Sequence, residues 1–540
     1  MPIQPSIQEQ TQLLPISLVA PAFRGLNLEN SGGIMGPEWA TVLDNIVFDA
    51  NGRPTARKGW TTIHDTASTD VVKRILEYRS ASATSYTISA HDDGAGTVTL
   101  YEGTADRTGT LTPTTGNIKL VNFNDKCIAF GVGTGGIPAV KVGTGNFADI
   151  SVASGTLPTG DVGTAAYGRV WCVDADGKTV RYSALLDETR WDTADGGGSV
   201  DFSKVWPSGQ DTVVAIEEFG GDLVFFGTKD TVIITDGAAS ELGMDPSTIY
   251  VSDTIPGVGA VTQFGICRAA GDLWVLTRSG IVGLQRELVQ KSTPVNNLSR
   301  NVQSQVVALT NSETDKDDIT LMYNPVDSLV LAIFPASDTH LCFDTRNPMD
   351  DGSYRVSTWS GDLQTAAWMI GANNMYGSLT DSVGDIFQYQ TNSDNGATFA
   401  IDYESSWMDL GQEMNNYIKI VKRMTTFVFI TETIVATHKV AYDFGLRDNT
   451  AQKTAVGGGS SQWGLAEWGS NGVYDSSNGA LVAGTDVSEW SGAATTLKTM
   501  DAPIGGSGQY IQVGIRVDTA SGEFSLQQIN LFAKVGRLAT

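Results

Sequence analysis

The stretch Phe219–Gly237, FGGDLVFFGTKDTVIITDG, decides the fold. Two apolar runs rich in β-branched and aromatic residues flank a Gly-Gly-Asp turn, which is the pattern of a tight hairpin. The same grammar returns in FNDKCIAFGVG from residue 123, AAGDLWVLTRSGIVGLQR from 269 and VDSLVLAIFPASDTHLCFD from 326. Turn signals fall at DDG (92), NDK (124), YGR (167), GGD (220), AGD (270), PVD (325) and ANN (372). From position 125 they lie at 125, 168, 221, 272, 327 and 374, spaced by 43, 53, 51, 55 and 47 residues. That period belongs to propeller blades. A four-stranded blade cannot bury both faces alone, so radial stacking follows. The expectation is an all-β chain with a β-propeller of six to seven blades over residues 71–400. Six units are clear, and a further one starts near 74–101. A plain β-sandwich is the alternative architecture.

The flanks break the period. Residues 1–70 read as an N-terminal docking or platform segment. Within it, GPEWATVLDNIVF reads as a short helix, with Pro37 in its first turn and Trp39, Val42, Leu43 and Ile46 on one side. RPTARKGW supplies a local basic spot, Arg53, Arg57 and Lys58, ending at Trp60. Its two readings are a solvated loop and a dock for an acidic partner. Residues 401–540 read as a β-sandwich-like C-terminal domain with a Gly/Ser-rich insertion at about 454–495. That insertion carries Trp463, Trp468 and Trp490, aromatics that either pack on the parent domain or contact a partner.

Of 540 residues, 60 are Asp or Glu and 35 are Lys or Arg, giving a net charge of -25. Such a balance opposes wrapping nucleic acid through phosphate contacts, which need clustered cations. It suits solubility, or a wall past which a polyanion slides. The four cysteines, Cys127, Cys172, Cys267 and Cys342, are far apart and lie in or beside apolar runs. They read as buried free thiols of a chain folded in a reducing cytoplasm. The N-terminus has no signal-peptide pattern, and no run of apolar residues is long enough to span a membrane.

No catalytic, cofactor or metal constellation emerges, so a non-enzymatic role is expected. The four histidines lack zinc-ligand spacing, and no nucleophile elbow or phosphate-binding loop is present. DADGKT at 174–179 lacks the distal ligands of a calcium loop and reads as a turn. NSDNGATF at 392–399 approaches the Asp-box of sialidase propellers but occurs once. It motivates a second reading, a propeller that binds or hydrolyses glycan.

The opening APAFRGLNLENSGGIMGPEWATVLDNIVFDANGRPTARKGW resembles the N-terminal signature of tail nozzle proteins from short-tailed phages, also called tail tubular protein B or packaged-DNA stabilisation proteins. AAYGRVWCVDADGKTVRYSALLDETRWD, AIEEFGGDLVFFGTKDTVIITDG and YESSWMDLGQEMNNYIKIVKRM also look like them, in the same order along the chain. The likeness covers most of the chain and is weakest over 440–510. It implies a propeller with added β-domains, assembled as a homo-hexamer at the tail tip of the virion. The ring would dock on the head-to-tail adaptor ring below the portal, meet tail fibres or tailspikes at its sides, and hold a tail needle or plug. Genomic DNA would pass through without specific binding. Under this resemblance Arg53, Arg57, Lys58 and Trp60 are candidates for adaptor docking. The acid-rich segment 183–211, with Asp187, Glu188, Asp192, Asp195 and Asp201, is a candidate channel gate, as is 288–305. Trp463, Trp468 and Trp490 are candidate partner contacts.

Overall fold

The computed structural model describes residues 13–237, 243–284, 297–380, 384–409, 417–445, 447–456, 472–475, 480–483, 496–519 and 522–538. The chain divides into two compact units, Trp60–Gln390 and a second one made of Met1–Gly59 with Thr391–Thr540.

Trp60–Gln390 is a β-propeller. Six blades have four strands each, and a seventh has three strands among the described residues. Blade 1 spans Val71–Asp106, blade 2 Leu120–Asp149, blade 3 Gly163–Asp201 and blade 4 Val213–Ile255. Blade 5 is the three-stranded Ile266–Gly283, and blade 6 spans Thr320–Ser360. Blade 7 takes three strands from Leu363–Thr391 and its outer strand, Gly59–Asp65, from the other end of the sequence. A strand borrowed across some 300 residues of chain is what no local pattern announces.

The opening stretch is where the sequence placed it. Val213–Phe219 pairs with Asp222–Gly227, and Leu223 to Gly227 are all buried. The corresponding second strands of blades 3, 5 and 6 (Arg169–Val173, Asp272–Thr277, Leu329–Ile333) are buried at every position. Both faces of such a strand meet neighbouring blades, which is why its sequence is apolar without alternation. The turn residues Gly220 and Gly221 have φ of 64° and 97°. Two successive positive φ values match the twist of the flanking strands. Tyr167–Gly168 and Ala270–Gly271 repeat the geometry in blades 3 and 5. Blade 1 differs from expectation. Its first turn is Ser80–Thr84, with Ala83 at φ 60°. DDG at 92 instead connects its second and third strands.

Apolar clusters join the blades pairwise. Tyr78, Ile88, Leu100, Cys127 and Phe147 bind blade 1 to blade 2. Phe130, Val170, Cys172 and Trp191 bind 2 to 3, and Trp171, Phe202, Phe225 and Val232 bind 3 to 4. Val224, Phe226, Leu273 and Val275 bind 4 to 5. Trp274 of blade 5 meets Phe343 and Tyr354 of blade 6 at 5.7 and 4.9 Å between ring centroids. Trp359 of blade 6 stacks on Tyr389 of blade 7 at 5.5 Å. Val72 and Ile75 with Met369 and Ile386 close the ring between blades 1 and 7.

Besides the two-stranded pair Gly472–Asp475 and Ala480–Ala483, the described residues of the second unit form two sheets. One joins Tyr417–Ile430 and Phe524–Leu538 with Thr496–Ala502, Gly506–Gly508, Leu14–Leu18, Ile46–Phe48 and Pro54–Ala56. The other runs Trp39–Asp44, Phe399–Ser405, Ile511–Thr519, Ile434–Tyr442, Arg447–Ala455, with Gly25–Leu26 parallel to Trp39–Asp44. The chain after residue 400 therefore forms no domain by itself, because the N-terminal residues supply strands to both sheets. The expected helix in GPEWATVLDNIVF is two short strands. Ala40, Leu43, Ile46 and Phe48 are buried, and Asn45, at φ 55°, breaks the path between them. β-branched Val42, Ile46 and Val47 and a partner strand on Trp39–Asp44 outweigh the weak helical spacing. The expected Trp contacts 463, 468 and 490 lie outside the described residues.

Phe225 is 1% exposed and packs on Phe202 at 4.3 Å between centroids. Phe225→Ala is expected to destabilise the propeller by about 3–5 kcal/mol, read as a lower midpoint in chemical denaturation.

Candidate functional site

Two of the four candidates in the basic segment, Arg57 and Trp60, are internal, which removes those two from its reading as a dock. Arg57 has a side chain only 3% exposed and makes a two-pronged pair with Asp394, at 2.9 and 2.6 Å. Its Nε donates to Asn45 Oδ1 at 2.8 Å, and its guanidinium lies 4.1 Å from the centre of the Phe399 ring. Asp394 belongs to NSDNGATF, so that Asp-box-like turn serves as an anchor for Arg57. Gly59 is required beside it, since a Cβ would sit 2.2 Å from the Ser393 carbonyl oxygen. Trp60 is 3% exposed and packs 5.3 Å from Tyr389, inside blade 7. Arg53 is half-buried, paired with Asp49 at 2.6 Å and set over Phe429. Lys58 alone of the four is exposed. Buried side chains cannot meet a partner, so Arg57 and Trp60 hold the fold.

The acid-rich segment 183–211 is likewise fixed. Glu188 is 4% exposed and pairs with Lys126 of blade 2 at 2.5 Å. Asp187 accepts from the Thr189 amide at 2.9 Å and hydroxyl at 2.6 Å, and faces Arg190 at 3.3 Å. Asp192 caps the short 3-10 turn Thr193–Asp195, and Asp195 lies 3.6 Å from Arg190. Asp201 ends the outer strand of blade 3 and accepts from the Ser203 amide at 2.8 Å. Trp191, Phe202 and Trp206 are buried. A gate must swing aside, and this segment is instead a blade's outer strand with its approaches. Of the other candidate, 288–305, residues 297–305 are described and lead into the helix Gln303–Ser312. Residues 288–296 lie outside the described residues.

The propeller axis carries the polar network that the sequence did not reveal. Lys119 of blade 2 pairs with Glu217 of blade 4 at 2.9 Å, skipping blade 3. Arg74 of blade 1 lies 3.6 Å from the centre of the Phe264 ring, before blade 5, and donates to Thr320 of blade 6 at 3.1 Å. It also donates to the Asp317 carbonyl. Burial pulls Arg74 down to about 10, against the opposing pull of Asp318, Asp317 and Asp315. The turn Lys316–Asp318 connects widely separated blades. Asp318 pairs with Lys73 at 2.8 Å and accepts from Asn117 at 3.2 Å, while Asp317 accepts from Thr262 at 2.5 Å. The cavity lined by Arg74, Lys119, Gln263, Phe264, Thr320 and Thr365 has a volume of about 170 Å³. That is the liquid volume of some five or six waters, at ~30 Å³ each. The Lys119–Glu217 pair and the Arg74 contacts cross the propeller axis. The residues that close it are scattered through the sequence, so only the fold could bring them together.

Three of the histidines and the thiols are held within the fold. His91 is buried, bonds Ser89 at 2.8 Å, and is pushed down to about 4 by burial. His438 is buried against Thr426 at 2.9 Å, and burial lowers it too. His340 bonds the Phe334 amide at 3.2 Å and the Gly361 carbonyl at 2.9 Å. All four cysteines are free thiols, three buried and Cys267 half-buried. Burial pushes Cys127 up to about 12, away from thiolate chemistry. DADGKT is a turn, closed by Asp176 accepting from the Lys178 and Thr179 amides at 2.8 Å. Among the described residues no group of His, Cys, Asp and Glu is placed to hold a metal ion, and no helix is long and apolar enough to cross a membrane.

Neither a family model nor a curated protein matches the chain. Solved structures match at the level of fold. The chain is similar to the β-propeller domain of Cps50 (Swd1) from Myceliophteria thermophila, at 10% identity and TM-score 0.38, covering 63% of this chain and 100% of that one. It is similar to the Pan2 WD40 domain of Neurospora crassa, at 8% identity and TM-score 0.34, covering 62% and 95%. It is similar to PorZ of Porphyromonas gingivalis, at 12% identity and TM-score 0.35, covering 80% of this chain and 55% of that one.

One carboxylate is poised near neutrality. Asp402 stands opposite Asp44 on one neighbouring strand and Arg516 on the other. Burial first, and then Glu404, raise it to about 6, while Arg516 and Lys439 oppose the rise. A folded-state pKa raised above the unfolded value gives stability that is full at low pH and lost as pH rises through about 6. Asp402→Asn is therefore expected to raise the thermal midpoint relative to the parent chain at pH 7.5, with the gap closing towards pH 4.5. An equal gap at both pH values would show that Asp402 is not the titrating group.

Proposed function

We propose that the chain is a structural virion protein, the subunit of a hexameric tail nozzle that docks on the adaptor ring, retains packaged DNA and forms the channel for its ejection. The observation that carries the reading is the ordered run of nozzle-like segments, above all the N-terminal signature ending in RPTARKGW. The geometry gives that signature physical sense. Asn45 and Arg57 build the clamp on Asp394, Gly59 permits the close approach to Ser393, and Trp60 opens the strand that completes blade 7.

Two further facts support the same reading. The axis of one propeller is closed, so a DNA path formed by this protein lies between copies of the chain. Six copies would carry roughly -150 charges, and like charge between wall and duplex disfavours phosphate binding. The alternative of a glycan-binding or glycan-hydrolysing tail protein loses its main motive. Asp394, the carboxylate of the Asp-box-like turn, is engaged by Arg57.

The purified chain, alone and with the adaptor ring, is expected to form sixfold rings with an open centre, seen by native mass spectrometry and negative-stain microscopy. A chain that stays monomeric in both conditions, or a monomer that releases sugar from capsular polysaccharide, would overturn the reading.

A further inference from the structure

The cavity in the propeller axis is lined by residues with polar atoms that have no partner among the described residues. Two of these residues, Arg74 and Gln263, are only 6% and 4% exposed. Arg74 donates its terminal N–H groups to the Lys73 and Asp317 carbonyls and to Thr320, but its Nε–H is unpartnered. Gln263 Nε2 donates to the Asp161 carbonyl at 3.3 Å, which fixes the amide and leaves Oε1 as the unpartnered atom. A buried polar atom without a bond costs free energy, so each of these two calls for a partner. Further donors belong to the same wall. Lys119 Nζ gives one N–H to Glu217 at 2.9 Å and keeps the others. Thr320 and Thr365 share one hydrogen bond at 3.3 Å, so one hydroxyl hydrogen is left over whichever of them donates. Arg74 and Lys119 are both cationic, and no Asp or Glu lines the cavity among the described residues. Asp317 and Asp318 act on Arg74 from outside that lining, and they are engaged by Thr262 and Lys73.

We propose that this cavity binds a small oxyanion that keeps one O–H group, either hydrogen phosphate or a short hydroxycarboxylate. Donors outnumber acceptors on the wall, which calls for an acceptor-rich ligand. The two cations call for negative charge, which water does not supply, and bonds from charged donors are the stronger kind. Gln263 Oε1 adds a restriction. It repels a bare oxygen and needs a donor, so it selects an oxyanion that still carries a hydrogen. Beside an analogue without that hydrogen the buried amide oxygen stays unpaired, and a site built this way rejects the analogue. The volume of about 170 Å³ admits such an ion with water beside it. The side chains of Lys119 and Glu217 are 18% and 17% exposed, so solvent reaches the cavity past that pair. Arg74, pulled down to about 10, stays charged at neutral pH. The inference is independent of the nozzle reading and stands or falls without it.

The test is calorimetric titration of the full chain, in a buffer free of oxyanions, with inorganic phosphate, sulfate, glycolate and acetate. Phosphate and sulfate share a shape, but only phosphate keeps an O–H at neutral pH. Glycolate differs from acetate by its hydroxyl. Saturable binding is expected, with phosphate about tenfold or more tighter than sulfate, or glycolate tighter than acetate by the same factor. Preference within the first pair identifies hydrogen phosphate as the ligand, and preference within the second a hydroxycarboxylate. Gln263→Leu removes the acceptor and is expected to bring each analogue to within about threefold of its O–H-bearing counterpart. Lys119→Met is expected to weaken binding about tenfold. The comparison of probes on the parent chain needs no variant, so it decides even where a substitution unfolds the protein. Three results would overturn the proposal. These are no binding of phosphate or glycolate (water alone fills the cavity), equal binding of each probe and its analogue, and a preference that survives Gln263→Leu in a variant with the parent's denaturation midpoint.

Discussion

A four-stranded blade has two apolar faces and no means of covering either, and everything else in Trp60–Gln390 follows from that constraint. Each face must find the next blade, so the clusters around Phe147, Trp191, Phe225 and Leu273 each draw on two blades. A ring of such pairs is only as complete as its last contact. That contact is made by Val72 and Ile75 with Met369 and Ile386, in a blade whose outer strand comes from Gly59–Asp65. Polar bonds reinforce the closure. The buried carboxylate of Glu77 accepts from the Ile370 and Gly371 amides, tying blade 1 to the turn of blade 7.

A frame locked this way leaves little for its interior to do. The axis is filled by Lys119–Glu217, by Arg74 over Phe264, and by the turn Lys316–Asp318. Histidines and thiols are used as packing and bonding groups within the walls. The acid-rich segment 183–211, read from the sequence as a candidate channel gate, includes the outer strand of blade 3.

Much of the propeller was legible because its signal is local. A hairpin such as Gly220–Gly221 with a buried strand behind it writes itself into consecutive residues, and repetition at about fifty residues reports the blades. What was illegible is what depends on distance along the chain. Nothing near Arg57 announces Asp394, and nothing near Trp60 announces Tyr389. Basic and aromatic residues at 53–60 thus read as a surface when two of the four, Arg57 and Trp60, are buried. The helix expected at Trp39–Ile46 failed for the same reason, since partner strands more than 300 residues away override weak local periodicity. The acid-rich segment reads as a loop because its five acids and the run of glycines at 196–198 say nothing of Trp191, Phe202 and Trp206, which are packed within it.

The central claim is that this closed propeller is a wall element and that the DNA path lies between its copies. Cryo-electron microscopy of intact phage particles carrying this chain tests it most directly. The account predicts six copies at the distal end of the tail, with density for the duplex on the sixfold axis and none through any single propeller. Finding the chain away from the tail tip, or finding nucleic acid inside one propeller's axis, would contradict it.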